Sequence, residues 1–190
     1  MMESPESRVQ ALHDEMERFK AYLDQMPATA LDQPSACQGW TVADVIGHLT
    51  PQNVVGTIAR GLQGDFGPPE GALPVSEHDE DRFAQNIFQR ALDTKTGLGD
   101  GLIPTLVERL NASLQTFRAV KPGEWDTLCY WPPGPEPVRI MLDICLAELS
   151  MHIWDIRSRL DDEYHLADAS VAGLMDAVNR AVRRAFRPDP

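Results

Sequence analysis

The run from Ile140 to Arg157, IMLDICLAELSMHIWDIR, constrains this chain more than any other stretch. Its apolar content predicts one long buried helix, yet Glu148 and His152 stand in it four residues apart. Side chains at that spacing stack on one face, a single turn from each other. The same face is apolar, because Val138, Met141, Cys145 and Ile156 fall on or beside the row. A carboxylate is seldom buried in such company unless it is paired or ligates a metal. Glu148 and His152 therefore read as half of a metal site that needs a further ligand from elsewhere in the chain.

Around that helix the periodicity predicts an all-α protein. Val9, Leu12, Met16, Phe19, Leu23 and Met26 form the seam of a first helix from Ser7 to Met26, at the alternating spacings of a bundle helix. Glu15, Glu17, Arg18 and Lys20 are assigned to its solvent side. A second helix starts at Thr41, where Thr41 and Asp44 make a capping pattern and Trp40 staples the start. Pro51 is expected to kink it before it resumes to Leu62. A third helix is expected in two pieces, Ser76 to Leu92 and Ile103 to Val120, broken by DTKTGLGDG. Phe83, Ile87 and Phe88 should point inward from the first piece. After the opening helix, which ends near Leu160, a last amphipathic helix over 168–186 carries Val171, Leu174, Val178 and Val182 as its seam. No stretch alternates convincingly as a strand does. The expected architecture is one domain over 1–190: an antiparallel four-helix bundle over 8–160 with an additional C-terminal helix.

The loop from Lys121 to Pro137 is rich in aromatics and prolines, so it should fold over one end of the bundle or wall a pocket. Trp125, Tyr130 and Trp131 are the pocket candidates there. Arg82, Arg90, Arg157 and Arg159 are candidate anion contacts, although arginine on a helix is usually a solvated face.

Charge narrows the partners. The net charge of −12 weighs against nucleic acid and anionic membranes and says little about small-molecule chemistry; the open metal site is what makes a small-molecule substrate the expected partner. A homodimer stays open. The three cysteines, Cys37, Cys129 and Cys145, form no CxxC, which points to a reducing cytoplasm rather than a disulfide framework. The N-terminal residues show no secretory pattern, and no apolar run is long enough to span a bilayer.

Five histidines are present. His13 reads as a surface residue, His165 lies in a polar turn and His78 heads an acidic helix start. His48 differs, because it is embedded in the apolar stripe of the second helix. With Glu148 and His152 it makes a two-histidine, one-carboxylate set from two helices. Three protein ligands leave a coordination position open, which suits a catalytic metal. Zinc is the first choice, with nickel or iron also compatible with the donor set. Asp155, three residues beyond His152, can orient an imidazole. The competing reading is a set of hydrogen-bonded core residues. Cys145 could be a fourth ligand or a nucleophile, but a small core residue is the simpler assignment.

CQGWTVADVIGHL (Cys37 to Leu49), followed about a hundred residues later by AELSMHIWDIR (Ala147 to Arg157), resembles the mycothiol-dependent maleylpyruvate isomerase N-terminal domain family, a group of DinB-like metal-binding bundles. The resemblance runs from Arg8 to Leu160. It implies a DinB-like four-helix bundle with a divalent metal on His48, Glu148 and His152. It also implies a low-molecular-weight thiol, mycothiol or bacillithiol, used in isomerisation or S-transfer on a small molecule. The isomerase itself carries a further C-terminal domain, whereas here one helix is expected after Leu160. Two other classes remain: a stress or regulatory bundle that binds metal or ligand without catalysis, and a thiol-independent metal-assisted hydrolase or isomerase.

Overall fold

The computed structural model describes residues 4–50, 54–70, 79–132 and 134–185. Helix α1 (Pro5–Gln25) starts where the Ser4 side chain accepts the Ser7 N–H and Pro5 takes the first helical position, both ordinary start signals. Its seam of Leu12, Met16, Phe19 and Leu23 is buried as expected. Glu15 is not on the solvent side; it is 1% exposed, paired with Arg18 and accepting from the Ser170 hydroxyl at 2.8 Å. A buried carboxylate needs such partners.

Helix α2 (Val42–Leu49) opens with the expected capping box: Thr41 accepts the Asp44 N–H, and the Asp44 carboxylate accepts the Thr41 N–H. The expected kink at Pro51 lies outside the described residues, and helix α3 runs Val54–Leu62. Helix α4 (Glu80–Leu98) is capped by Asp79; residues 76–78, His78 among them, lie outside the described part. Helix α5 is Leu102–Ala119 and helix α6, the helix of the opening stretch, is Val138–Arg157. Helix α7 is Asp168–Ala185. A ladder of β1 (Leu128–Cys129) and β2 (Glu136–Pro137) closes the aromatic loop, two short antiparallel strands too brief to show an alternation.

The core lies where α1, α2, α5 and α6 meet, lined by Met16, Phe19, Ile46, Leu106, Phe117, Leu142, Leu146 and Ile153. No helix among the described residues is long and apolar enough to cross a membrane. Two helices sit outside that core. Helix α4 packs along α2, and α7 packs along α6 and α1.

The expected break at DTKTGLGDG is only partly there. The helix continues through Asp93-Thr94-Lys95-Thr96 and stops at Gly99, whose φ of 50° ends it. Lys95 explains the extension, because its ammonium pairs with the Asp44 carboxylate at the start of α2. The inward positions also shift. Among the described residues of α4 only Ala91 is buried, and Phe88 is 40% exposed. The strip of α4 that meets α2 is narrow because the backbones touch: a Cβ on Gly47 would stand 2.5 Å from the Ala91 carbonyl oxygen. Gly47→Ala should therefore destabilise the protein by about 1–3 kcal/mol through overpacking. Urea unfolding with an unchanged slope would register that loss.

Helix α7 reverses its expected orientation. Val171 and Val178, assigned to its seam, are 41% and 48% exposed, and Leu174 is half-buried. The face turned to the bundle holds Ser170, Gly173, Asp176 and Arg180 instead. The side chain of Val182 lies outside the described part.

Candidate metal centre

Two local devices aim the site. The capping box fixes the start of α2, so His48 falls in its last turn, half-buried among Val45, Ile46 and Leu49. On α6, Glu148, His152 and Asp155 follow at four and three residues, which keeps them on one face. Where these faces meet, His48 Nε2 lies 3.5 Å from Glu148 Oε2, and His152 Nε2 lies 3.6 Å from the same oxygen. The three donor atoms all lie within 4.8 Å of one another.

Those separations suit an ion. Three ligands about 2.0–2.1 Å from one zinc stand roughly 3.4 Å apart at tetrahedral angles, so small side-chain adjustments close the set. The orientation of His152 suits it too. Its Nδ1 faces Asp155 Oδ2 at 2.8 Å, and donation of Nδ1–H to that carboxylate leaves Nε2 turned to Glu148. The imidazoles of His48 and His152 stand edge to face, with ring centres 4.7 Å apart. The Glu148 side chain is still 32% exposed, so the donor set opens toward solvent on one side.

The charges are strongly coupled. Burial works against ionised Glu148, but hydrogen bonds and charge from His152 and His48 outweigh it and bring the carboxyl down to about 2. Burial also opposes a charge on His152, yet the bonds and charges of Asp155 and Glu148 push it up to about 9. Without metal, a proton on His152 supplies the positive charge that this carboxylate pair calls for. The consequence for pH has opposite signs in the two forms. In metal-free protein the His152 contribution to stability is full below 6.5 and fades as pH rises through about 9. The Glu148 contribution fades as pH falls from 4.5 through about 2. Metal must displace the His152 proton, so metal affinity should instead rise with pH up to about 9. Thermal denaturation with and without chelator, followed across pH 6.5 to 9, should show the two curves diverging.

Two residues beside this set escaped the reading of the sequence. Trp40 stands edge-on to the His48 ring at 5.8 Å between centres and packs on Phe88 at 5.6 Å. The Cys37 thiol lies within 4.8 Å of the Asp155 carboxylate, and the neighbouring Ala36 N–H donates to the Asp155 carbonyl at 2.8 Å. Burial, then the charge and proximity of Asp155, push the Cys37 thiol up, so it is not a thiolate here. Cys37, His152 and Asp155 also lie close enough to share an ion, but the His152 Nδ1–Asp155 contact already joins two of the three. The loop before α2 thus carries both a wall of the site and a strap on α6. No local spacing announces this, because Cys37 and Asp155 are separated by most of the chain.

Other candidates lie elsewhere. The aromatic loop folds onto α3 and the start of α6: Arg139 N–H donates to the Trp125 carbonyl, and Gly61 meets Cys129. Nine residues of helix put Arg139 about 13 Å along α6 from Glu148. Trp125 is buried there, with Tyr130 and Trp131 half-buried. Arg157 is held between the rings of Tyr22 and Tyr164, at 4.7 and 4.1 Å, with its guanidinium also on Asp161. Arg82, Arg90 and Arg159 are exposed. Cys145 is buried, and burial followed by the Glu148 charge pushes its thiol up to about 12, so it is no thiolate. His13 bonds Gln10 and Asp14, and His165 is exposed.

The chain matches the sequence profile of the mycothiol maleylpyruvate isomerase N-terminal domain over residues 12–157. No curated protein matches it in sequence. Among solved structures it is similar to the mycothiol-dependent maleylpyruvate isomerase, with a TM-score of 0.63 and 15% identity. A histidine-to-alanine mutant of that isomerase gives a TM-score of 0.60 at 15% identity. In both cases 81% of this chain is covered, and it spans 61% of the length of the other. The shared architecture is the DinB-like bundle that the periodicity and the paired motifs lead to expect. With the profile matched over most of its length, including α2 and α6, the chain belongs to the mycothiol maleylpyruvate isomerase N-terminal domain family.

Proposed function

We propose that this chain is a metal-dependent enzyme whose centre activates a low-molecular-weight thiol, mycothiol first, or water, for isomerisation or S-transfer on a small molecule. The observation that carries the reading is the convergence of His48 Nε2 and His152 Nε2 on one Glu148 oxygen at 3.5 and 3.6 Å. His48, Glu148 and His152 would hold a divalent ion, zinc by preference and nickel or iron by donor type. When bound, such an ion lowers the pKa of a thiol or water at its open position.

The remaining work falls to side chains of this chain. Asp155 keeps the proton of His152 on Nδ1, so that Nε2 faces inward. Glu148 contributes the one negative charge among the three donors. A two-histidine, one-carboxylate set leaves an ion with net positive charge, which favours an anionic sulfur or oxygen beside it. Trp40 and Phe88 give the site an apolar flank, and the partial exposure of Glu148 marks the side from which a small molecule enters.

Titrating mycothiol into cobalt-loaded protein tests this reading. A saturable change in the cobalt absorption, absent with an alcohol analogue of the thiol, is expected. An unchanged spectrum would remove the thiol from the proposal and leave water as the activated group.

A further inference from the structure

The two histidines of the centre are held by different means. His152 has a carboxylate behind it, with Asp155 Oδ2 at 2.8 Å from Nδ1. His48 has none: among the described residues its ring bonds only through Nε2, toward Glu148. The outer torsion of an imidazole is broad and shallow, so a ring with one such contact turns easily. A ligand histidine needs that rotation fixed if its nitrogen is to stay on the ion.

Rings fix it. Trp40 meets the His48 ring at 5.8 Å between centres and 80° between planes, and His152 meets it at 4.7 Å and 79°. Both are edge-to-face contacts, the arrangement that the aromatic quadrupole favours. Phe88 of α4 packs on Trp40 at 5.6 Å, so Phe88, Trp40, His48 and His152 form one continuous row.

The indole is itself held in place. Gly39, at a φ of 81°, makes the turn before it, a conformation that glycine adopts without strain. The Trp40 N–H donates to the Cys37 carbonyl at 3.0 Å. The Trp40 carbonyl accepts from the N–H and the hydroxyl of buried Ser35, at 2.9 and 3.0 Å. Helix α4, which carries Phe88, is pinned to α2 by the Lys95–Asp44 pair and by the close approach of Gly47 to Ala91. Stapling a helix start needs only an apolar side chain; a tied backbone and contacts to two further rings go beyond that need. We propose that Trp40 is the positioning residue of His48, fixing by ring contact the imidazole that no carboxylate orients. The inference rests on the metal reading of His48, Glu148 and His152.

Competition for cobalt between the whole protein and a chromophoric chelator tests it. Trp40→Leu keeps an apolar staple but removes the ring. Its cobalt affinity should fall about 2- to 10-fold, the worth of one edge-to-face pair. The cobalt absorption should change with it, because His48 no longer holds one orientation. Trp40→Phe should recover most of the affinity and the native spectrum. Phe88→Ala, at an exposed position, frees one contact of the indole and should give a smaller loss of the same kind. Native affinity and spectrum in Trp40→Leu overturn the proposal; should that variant not fold, the same result in Phe88→Ala does so. An equal loss in Trp40→Phe and Trp40→Leu also overturns it, since the ring then does not matter. A native protein that binds no cobalt overturns the metal reading and this one with it, whereas each result above leaves the metal reading standing.

Discussion

Replacing His48 and His152 together by alanine should leave a helical protein that no longer takes up a divalent ion. Both side chains are half-buried, on helices whose packing is carried by Ile46, Leu49, Leu149 and Ile153 on other faces. Removing the two imidazoles leaves Glu148 as a single oxygen donor, and one carboxylate does not bind zinc stoichiometrically at micromolar concentration. The variant should also reverse the titration of Glu148. Its carboxyl is held down only by the two histidines against burial, so without them burial prevails and the group titrates above its ordinary 4.5. Equilibrium dialysis with metal analysis, alongside circular dichroism, gives both halves of the result. Stoichiometric uptake by the double variant would contradict the assignment.

Asp155→Asn is the second large effect. The carboxylate that accepts from His152 Nδ1 at 2.8 Å fixes which ring nitrogen points to the ion. Losing such a partner typically weakens metal binding about 10- to 100-fold. The same change removes the leading cause of the raised His152 pKa, so in metal-free protein the loss of stability above 6.5 should be smaller and should end at a lower pH than in the native protein. Competition against a chromophoric chelator measures the affinity. An affinity equal to that of the native protein would show that Asp155 does not position the ligand.

What the sequence revealed and what it hid divide along the reach of the interaction. Glu148, His152 and Asp155 share one helix, so ordinary helical spacing placed them on one face. His48 was distinctive because a histidine in an apolar stripe calls for a partner, and the capping box at Thr41 and Asp44 fixed its register. The hidden features depend on contacts between distant segments. Trp40 read as a residue that staples a helix start, and only the fold sets it against His48. The strap from Ala36 to Asp155 joins the loop before α2 to the end of α6. Helix α4 outran its expected end because Lys95 finds Asp44 on another helix. The aromatic loop was anchored at the far end of α6 by the Arg139–Trp125 backbone bond, away from the histidines.

Glu15 and α7 share a different cause. Periodicity assigns apolar residues inward and charges outward, as a lone helix in water would be arranged. Here the charged groups find partners that a lone helix in water would not need: Glu15 is met by Arg18 on its own helix and by Ser170 on α7, and Asp176 and Arg180 by Arg8 and Asp143 on other helices. That pairing lets a polar face turn inward and leaves Val171, Met175 and Val178 outside.

Metal stoichiometry in the native protein tests the three-ligand centre most directly. Cobalt titrated into chelator-treated protein at neutral pH should bind at one ion per chain. Its absorption should report a tetrahedral site of nitrogen and oxygen donors, and zinc should displace it. A protein that takes up no ion, or binds cobalt equally well after the double replacement of His48 and His152, would contradict it.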